Sequence, residues 1–132
     1  MEKKQVLIVD DAVDMRVFLS VLFKTAGFHA VAVKDGREGI NKARQIRPDL
    51  IILDVMMPDQ GGALMYRALK SDDTLFSIPV VMLSAVEKST FFHFLKMLKL
   101  HPEEDIPEPE GYMEKPPDPD ALLDLADALL DR

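Results

Sequence analysis

The stretch Asp49–Gly62, DLIILDVMMPDQGG, sets four large aliphatic residues, Leu50 to Leu53, directly before the carboxylate of Asp54. A buried charge is costly unless something binds it, so Asp54 either reaches solvent or sits in a prepared site. The run has strand length and no polar alternation, the pattern of a strand covered on both faces of a parallel sheet. Whether similar runs occur elsewhere, and what stands at their ends, decides the fold.

Several do. QVLIV (Gln5–Val9) is a second continuous apolar run and ends at Asp10, HAVAV (His29–Val33) follows, PVVML (Pro79–Leu83) leads into Ser84, and GYME (Gly111–Glu114) gives a short fifth strand before Lys115. Helical patterns separate them. Met15, Phe18, Leu19 and Leu22 predict a helix over about residues 14 to 26, with Asp14 as cap and Gly27 as stop. Ile40, Ala43 and Ile46 mark a second helix ended by Pro48, and Leu64, Met65, Ala68 and Leu69 a third after Gly61 and Gly62. A fourth runs from about Lys88 to Leu100, with Phe91, Phe94, Leu95 and Leu98 as its core stripe and Phe92, Met97 and Leu100 widening the apolar surface. The last, with Asp118 or Asp120 as cap, carries Leu122, Leu125, Ala126 and Leu129 on one face.

Strands alternating with helices require crossover connections, so the expected fold is α/β, a doubly wound parallel sheet with helices on both faces. The 132 residues suit one domain spanning 1–132, with no output domain. Residues 101–110, HPEEDIPEPE, hold three prolines and five acids and read as an irregular insertion between the fourth helix and the fifth strand. The formal charge of −7 argues against direct nucleic-acid binding, which needs clustered Lys and Arg. There are no cysteines, hence no disulfide, thiolate metal site or cysteine nucleophile. The apolar stretch after Lys3 and Lys4 stops at Asp10, too short for a signal peptide, and no run is long enough to insert in a membrane. A cytoplasmic protein is expected.

Ligands of doubly wound sheets bind outside the carboxyl ends of the strands. Asp10, Asp11, Asp54, Ser84 and Lys115 all fall there. Two carboxylates about 4 Å apart at an effective dielectric near 20 repel by about 4 kcal/mol, so a cation must offset the cluster, and one lysine is at hand. Oxygen-only ligands with retained waters suit Mg²⁺ better than Zn²⁺, which prefers His or Cys. Mg²⁺ beside a carboxylate, with a hydroxyl and an ammonium nearby, is a cradle for a phosphoryl group and makes Asp54 a candidate nucleophile. Taken singly each residue has a plainer reading: helix-start acids for Asp10 and Asp11, turn or loop residues for Asp54, Ser84 and Lys115, a half-buried aromatic for Tyr112. Their joint placement at strand ends favours the site. Gly62 is expected to supply backbone freedom at the start of the third helix.

LIVDD (Leu7–Asp11), LDVMMPDQGG (Leu53–Gly62), VVMLSA (Val80–Ala85) and YMEKP (Tyr112–Pro116) together resemble the receiver domain of two-component response regulators, here of the single-domain type. The resemblance implies a flavodoxin-like strand order 2-1-3-4-5 and a phosphorelay role in which Asp54 accepts a phosphoryl group from a sensor histidine kinase or phosphotransfer protein. It implies Asp11 and Asp54 as direct Mg²⁺ ligands with the Met56 backbone carbonyl, and Asp10 acting mainly through water. Ser84 and Lys115 would hold phosphoryl oxygens, and Tyr112 would turn inward as Ser84 moves. Met56 and Val86 would border the path of the attacking water. Output would pass to a downstream protein through the fourth helix, fifth strand and fifth helix, with no chemistry beyond self-phosphorylation and autodephosphorylation. Between Ser84 and Lys115 the chain exceeds the common receiver spacing by about two helical turns of residues. Two other readings stay open: a Mg²⁺-dependent aspartate-nucleophile phosphatase, which should carry a second acid where Met56 stands, and a receiver-like interaction module that is never phosphorylated.

Overall fold

The computed structural model describes residues 3–55, 61–85, 88–90 and 107–131. Five strands, β1 (Gln5–Val9), β2 (His29–Val33), β3 (Leu50–Asp54), β4 (Val80–Ser84) and β5 (Gly111–Glu114), form one parallel sheet in the order β2-β1-β3-β4-β5. Both central strands, β1 and β3, are buried almost throughout, which is why they read as unbroken aliphatic runs.

Alternate strand residues feed two cores. Leu7, Val9, Ile51, Leu53, Val80 and Met82 pack against α2 (Gly36–Ile46) and α3 (Gly62–Lys70) through Ala43, Met65, Tyr66 and Leu69. Val6, Ile8, Leu50, Ile52, Val81 and Leu83 pack on the opposite face against α1 (Val13–Thr25) and the C-terminal helix Pro119–Leu129, through Leu19, Phe23, Leu122 and Ala126. Burying one such side chain stabilises the fold by about 1.5–3 kcal/mol, so both faces are needed to offset the ordering of the chain. Phe23 and Phe28 meet edge to face at 5.1 Å and close the bottom of the second core.

Helix ends follow local chemistry. Asp35 caps α2 by accepting the Glu38 N–H at 2.8 Å, and Asp118 caps the C-terminal helix by accepting from Asp120 and Ala121. Gly27, after α1, has φ +95°, the left-handed conformation glycine tolerates. Asp14 is not the cap of α1. The helix starts a residue earlier, at Val13 with Ala12 in the cap position, and Asp14 lies in its first turn, its carboxylate accepting the Met15 N–H. The expected phase of α3 also shifts: Ala63, Met65, Tyr66 and Leu69 face the core while Leu64 is exposed.

Residues 88–90 are helical. The rest of the helix expected over 88–100, with Phe91, Phe92, Phe94, Leu95, Met97, Leu98 and Leu100, lies outside the described residues, as do Met56, Val86 and the 101–106 part of the insertion. No helix among the described residues is long and apolar enough to cross a membrane.

Candidate functional site

Strand register gathers the candidate residues. Val9 pairs with Leu53, Asp54 with Leu83 and Ser84 with Glu114, so Asp10, Asp54, Ser84 and Lys115 emerge within one residue of a common line at the carboxyl edge. The two-residue alternation then sorts them. Asp10 follows the parity of Val6 and Ile8, Asp54 that of Leu50 and Ile52, and Lys115 that of Met113, all on the face of α1 and the C-terminal helix. Ser84 follows Val80 and Met82, and Tyr112 packs with them on the face of α2 and α3. One edge therefore carries an acid–lysine half and a hydroxyl half.

In the acid–lysine half, Lys115 Nζ lies 3.0 Å from Asp10 Oδ2 and 3.3 Å from Asp54 Oδ1. Both carboxylates are buried, at 1% and 3% exposure, which rules out the solvent-facing alternative for Asp54. Asp10 Oδ1 also accepts the Ala12 N–H at 2.9 Å. Burial pushes the Lys115 ammonium down, but the Asp10 hydrogen bond and the Asp54 and Asp10 charges outweigh this and hold its pKa above the usual lysine value. Lys115 is carried there by its backbone, whose N–H donates to the Ser84 carbonyl at 2.8 Å, and is followed by a cis peptide bond to Pro116.

In the hydroxyl half, Ser84 is fully buried and hydrogen-bonded to the Tyr112 side chain. Burial raises the Tyr112 phenol, opposed by the Ser84 hydrogen bond and reinforced by Glu114. The ring is half-buried against Met82 and its neighbours.

Asp10, Asp11 and Asp54 each present a carboxylate oxygen within 4.8 Å of the other two, Asp11 from an exposed position. Octahedral Mg²⁺ with bonds near 2.1 Å holds neighbouring ligand oxygens about 3 Å apart and opposite ones about 4 Å apart. The cluster fits such an ion with small side-chain adjustment, and its all-oxygen donor set, open to water on the Asp11 side, matches a hard cation that keeps part of its hydration.

The model of the response regulator receiver domain matches residues 6–127, which include every one of these residues. The chain belongs to the response regulator receiver family. The receiver is similar over its whole length to the solved chemotaxis protein CheY4 of Vibrio cholerae, at 28% identity and TM-score 0.83, covering 98% of this chain and 100% of that one. The receiver domain of a signal transduction histidine kinase from Syntrophus aciditrophicus is 27% identical with TM-score 0.82, covering 97% and 90%. Among curated proteins, the DNA-binding response regulator MtrA of Mycolicibacterium paratuberculosis is 32% identical over 83 residues, 63% of this chain and 36% of that protein. A protein-glutamate methylesterase/protein-glutamine glutaminase of Archaeoglobus fulgidus is 34% identical over 123 residues, 92% of this chain and 32% of that protein. The receiver thus spans about a third of the length of these two relatives.

Three features of the receiver were not anticipated from sequence, two at the site and one at the opposite end of the sheet. Gly62 has no left-handed φ; its role is close approach, since a Cβ there would overlap the Asp54 carbonyl oxygen and come within 2.7 Å of Val55 Cα. Its N–H donates to the Val55 carbonyl at 3.1 Å, docking α3 on the end of β3. Arg16 Nη1 donates to the Asp10 carbonyl at 2.8 Å. The signal for Arg16 was a cation in the first turns of a helix, where the macrodipole disfavours it.

The third feature is the anchoring of residues 107–110. Tyr66 donates its hydroxyl to the Pro107 carbonyl at 2.6 Å, and Lys70 Nζ donates to Glu110 at 2.7 Å and to the carbonyls of Phe76 and Ile78. Glu110 also accepts the Val80 N–H at the start of β4. Burial, with the charges of Glu110 and Glu108, raises the Tyr66 phenol well above its ordinary pKa. The C-terminal end of the insertion is therefore fixed to α3 and β4, at the end of the sheet away from the acids.

Proposed function

We propose that the protein is a phosphoacceptor in two-component signalling, with Asp54 taking a phosphoryl group from the histidine of a sensor kinase or phosphotransfer protein. The observation that carries this reading is the buried Asp54 carboxylate, held between Lys115 and the acids Asp10 and Asp11 at the carboxyl edge of the sheet. Mg²⁺, held by Asp11, Asp54 and the Met56 carbonyl with Asp10 acting mainly through water, would neutralise charge on the transferring phosphoryl group. Lys115 is a cation already aimed at Asp54 and suited to pair with a phosphoryl oxygen.

Attack by an Asp54 oxygen on phosphorus forms an acyl phosphate and leaves the donor's nitrogen with the bonding pair. The added charge needs more donors than Lys115 supplies. Ser84, one strand away, is the nearest hydroxyl by register. Its use by the phosphoryl group would compete with its hydrogen bond to Tyr112 and release that ring to a second position. The ring lies on β5, which supports output through β5, the C-terminal helix and the helix expected over 88–100, to a downstream protein. Covalent change at Asp54 shifts a population of two arrangements, with no turnover of an external substrate.

Met56 and Val86, both apolar, would border the path of the hydrolytic water, and apolar groups do not orient water for attack. Slow autodephosphorylation is the expected consequence. A phosphoryl lifetime that shortens or is unchanged when Met56→Leu replaces Met56→Asn contradicts it.

Incubation with a small acyl phosphate and Mg²⁺ tests the reading as a whole. Phosphoryl incorporation that disappears on chelation of Mg²⁺ supports it; steady turnover of generic phosphomonoesters would favour the phosphatase instead.

A further inference from the structure

Resting on the reading of Asp10, Asp11 and Asp54 as the metal site, we propose that Arg16 is a positioning residue: its guanidinium fixes the Asp10 carbonyl and thereby aims the acids at the cation.

Asp10 is the first residue past the end of β1, whose last ladder pair is Val9 with Leu53. Its N–H still reaches the Val33 carbonyl at 3.1 Å, but its own carbonyl has left the ladder. A carbonyl at a buried position needs a donor. Arg16 supplies one at 2.8 Å, from one turn inside α1. With the Ala12 N–H on Asp10 Oδ1 and Lys115 on Oδ2, all four polar groups of Asp10 are held. The Arg16 N–H in turn donates to the Ala12 carbonyl at 3.0 Å, so residues 10–16 form a closed circuit of hydrogen bonds. Asp11 sits inside that circuit, and the direction of its exposed carboxylate depends on the backbone that Arg16 clamps.

Arg16 is not a simple counter-ion to the acids. Among the described residues it forms no ion pair, although the acids stand at the start of its own helix. Its charge goes to a backbone oxygen, at the helix end where the macrodipole disfavours a cation. Two roles therefore make opposite predictions. Were Arg16 only a nearby positive charge, removing it would tighten Mg²⁺ binding by lessening repulsion. If it positions the acids, removing it weakens binding despite the lost repulsion, as removal of supporting partners around metal ligands generally does.

The test is a Mg²⁺ titration of the unphosphorylated protein, wild type against Arg16→Met and Arg16→Lys, with thermal unfolding in a chelator as the folding control. Arg16→Met is expected to raise the Mg²⁺ dissociation constant about 10-fold, and Arg16→Lys, which keeps a charged donor, to fall between it and wild type. Binding by Arg16→Met as tight as, or tighter than, wild type overturns the proposal. If Arg16→Met does not fold, Arg16→Gln carries the same comparison with the same two outcomes. A wild type that binds no Mg²⁺ removes the metal site and this role with it; a binding wild type with an unaffected variant removes the Arg16 role alone.

Discussion

The Lys115 ammonium stands 3.3 Å from Asp54 Oδ1 while also holding Asp10 at 3.0 Å, so one cation serves two buried carboxylates, with a third from Asp11 within reach. Without a metal the cluster is under-compensated. Asp54 is attracted by Lys115 but repelled by Asp10 and Asp11 and desolvated by its burial. Asp54→Asn, of equal size, should therefore raise the stability of the metal-free protein by about 1–2 kcal/mol. Denaturant unfolding in a chelator checks this, and a destabilised variant would show that Lys115 already balances the site.

The same imbalance predicts that Mg²⁺ stabilises the folded chain. At a concentration 100 times the dissociation constant, a ligand of the native state adds about 2.7 kcal/mol. A rise in the unfolding midpoint with Mg²⁺, much reduced in Asp11→Ala, is expected by thermal denaturation. Equal midpoints with Mg²⁺ and with chelator would mean the acids hold no divalent ion.

Stability at alkaline pH should depend on Lys115. Burial alone would lower its pKa, but Asp10 and Asp54 raise it above the reference value of 10.5. A group whose folded pKa exceeds its unfolded one gives its full contribution below the unfolded value and loses it as pH rises through the folded value. The wild type should thus lose stability more steeply above about pH 10.5 than Lys115→Met does. Unfolding curves from pH 8 to 12, taken as wild type minus variant, isolate this from the tyrosines; parallel curves would contradict it.

Gly62→Ala should cost about 1–3 kcal/mol, typical of overpacking, because the new Cβ meets backbone that cannot rotate away. Since that backbone is the carbonyl of Asp54, Mg²⁺ affinity should fall as well. Equilibrium unfolding and Mg²⁺ titration of the variant read both effects, and wild-type values in both would place the close contact elsewhere.

The sheet was legible because β1, β3 and β4 are buried on both faces and leave uninterrupted apolar runs, each ending at the residue where polar chemistry starts. Asp10, Asp11, Asp54 and Lys115 could be grouped because a parallel sheet sends all its carboxyl ends to one edge. The split of the site into two faces was not read, although it follows from counting alternation back from Asp54 and Ser84. The phase of α3 departs from its apolar spacing at Leu64, which is exposed. Spacing alone gives a stripe but not its rotation, which here is set by Gly62 docking on Val55. The cap at Asp14 failed for a related reason: an acid within the first turn and a cap look alike in sequence. The anchoring of Pro107 and Glu110 by Tyr66 and Lys70 joins residues about 40 positions apart, a pairing no local pattern encodes.

The most direct test of the account is to expose the wild type and Asp54→Asn to a small acyl phosphate in Mg²⁺ and to locate any phosphoryl group by mass spectrometry of the intact chain and its peptides. The account predicts one phosphoryl group on the wild type, in the peptide that holds Asp54, and none on the variant. Equal incorporation in both proteins, or none in either, would contradict it.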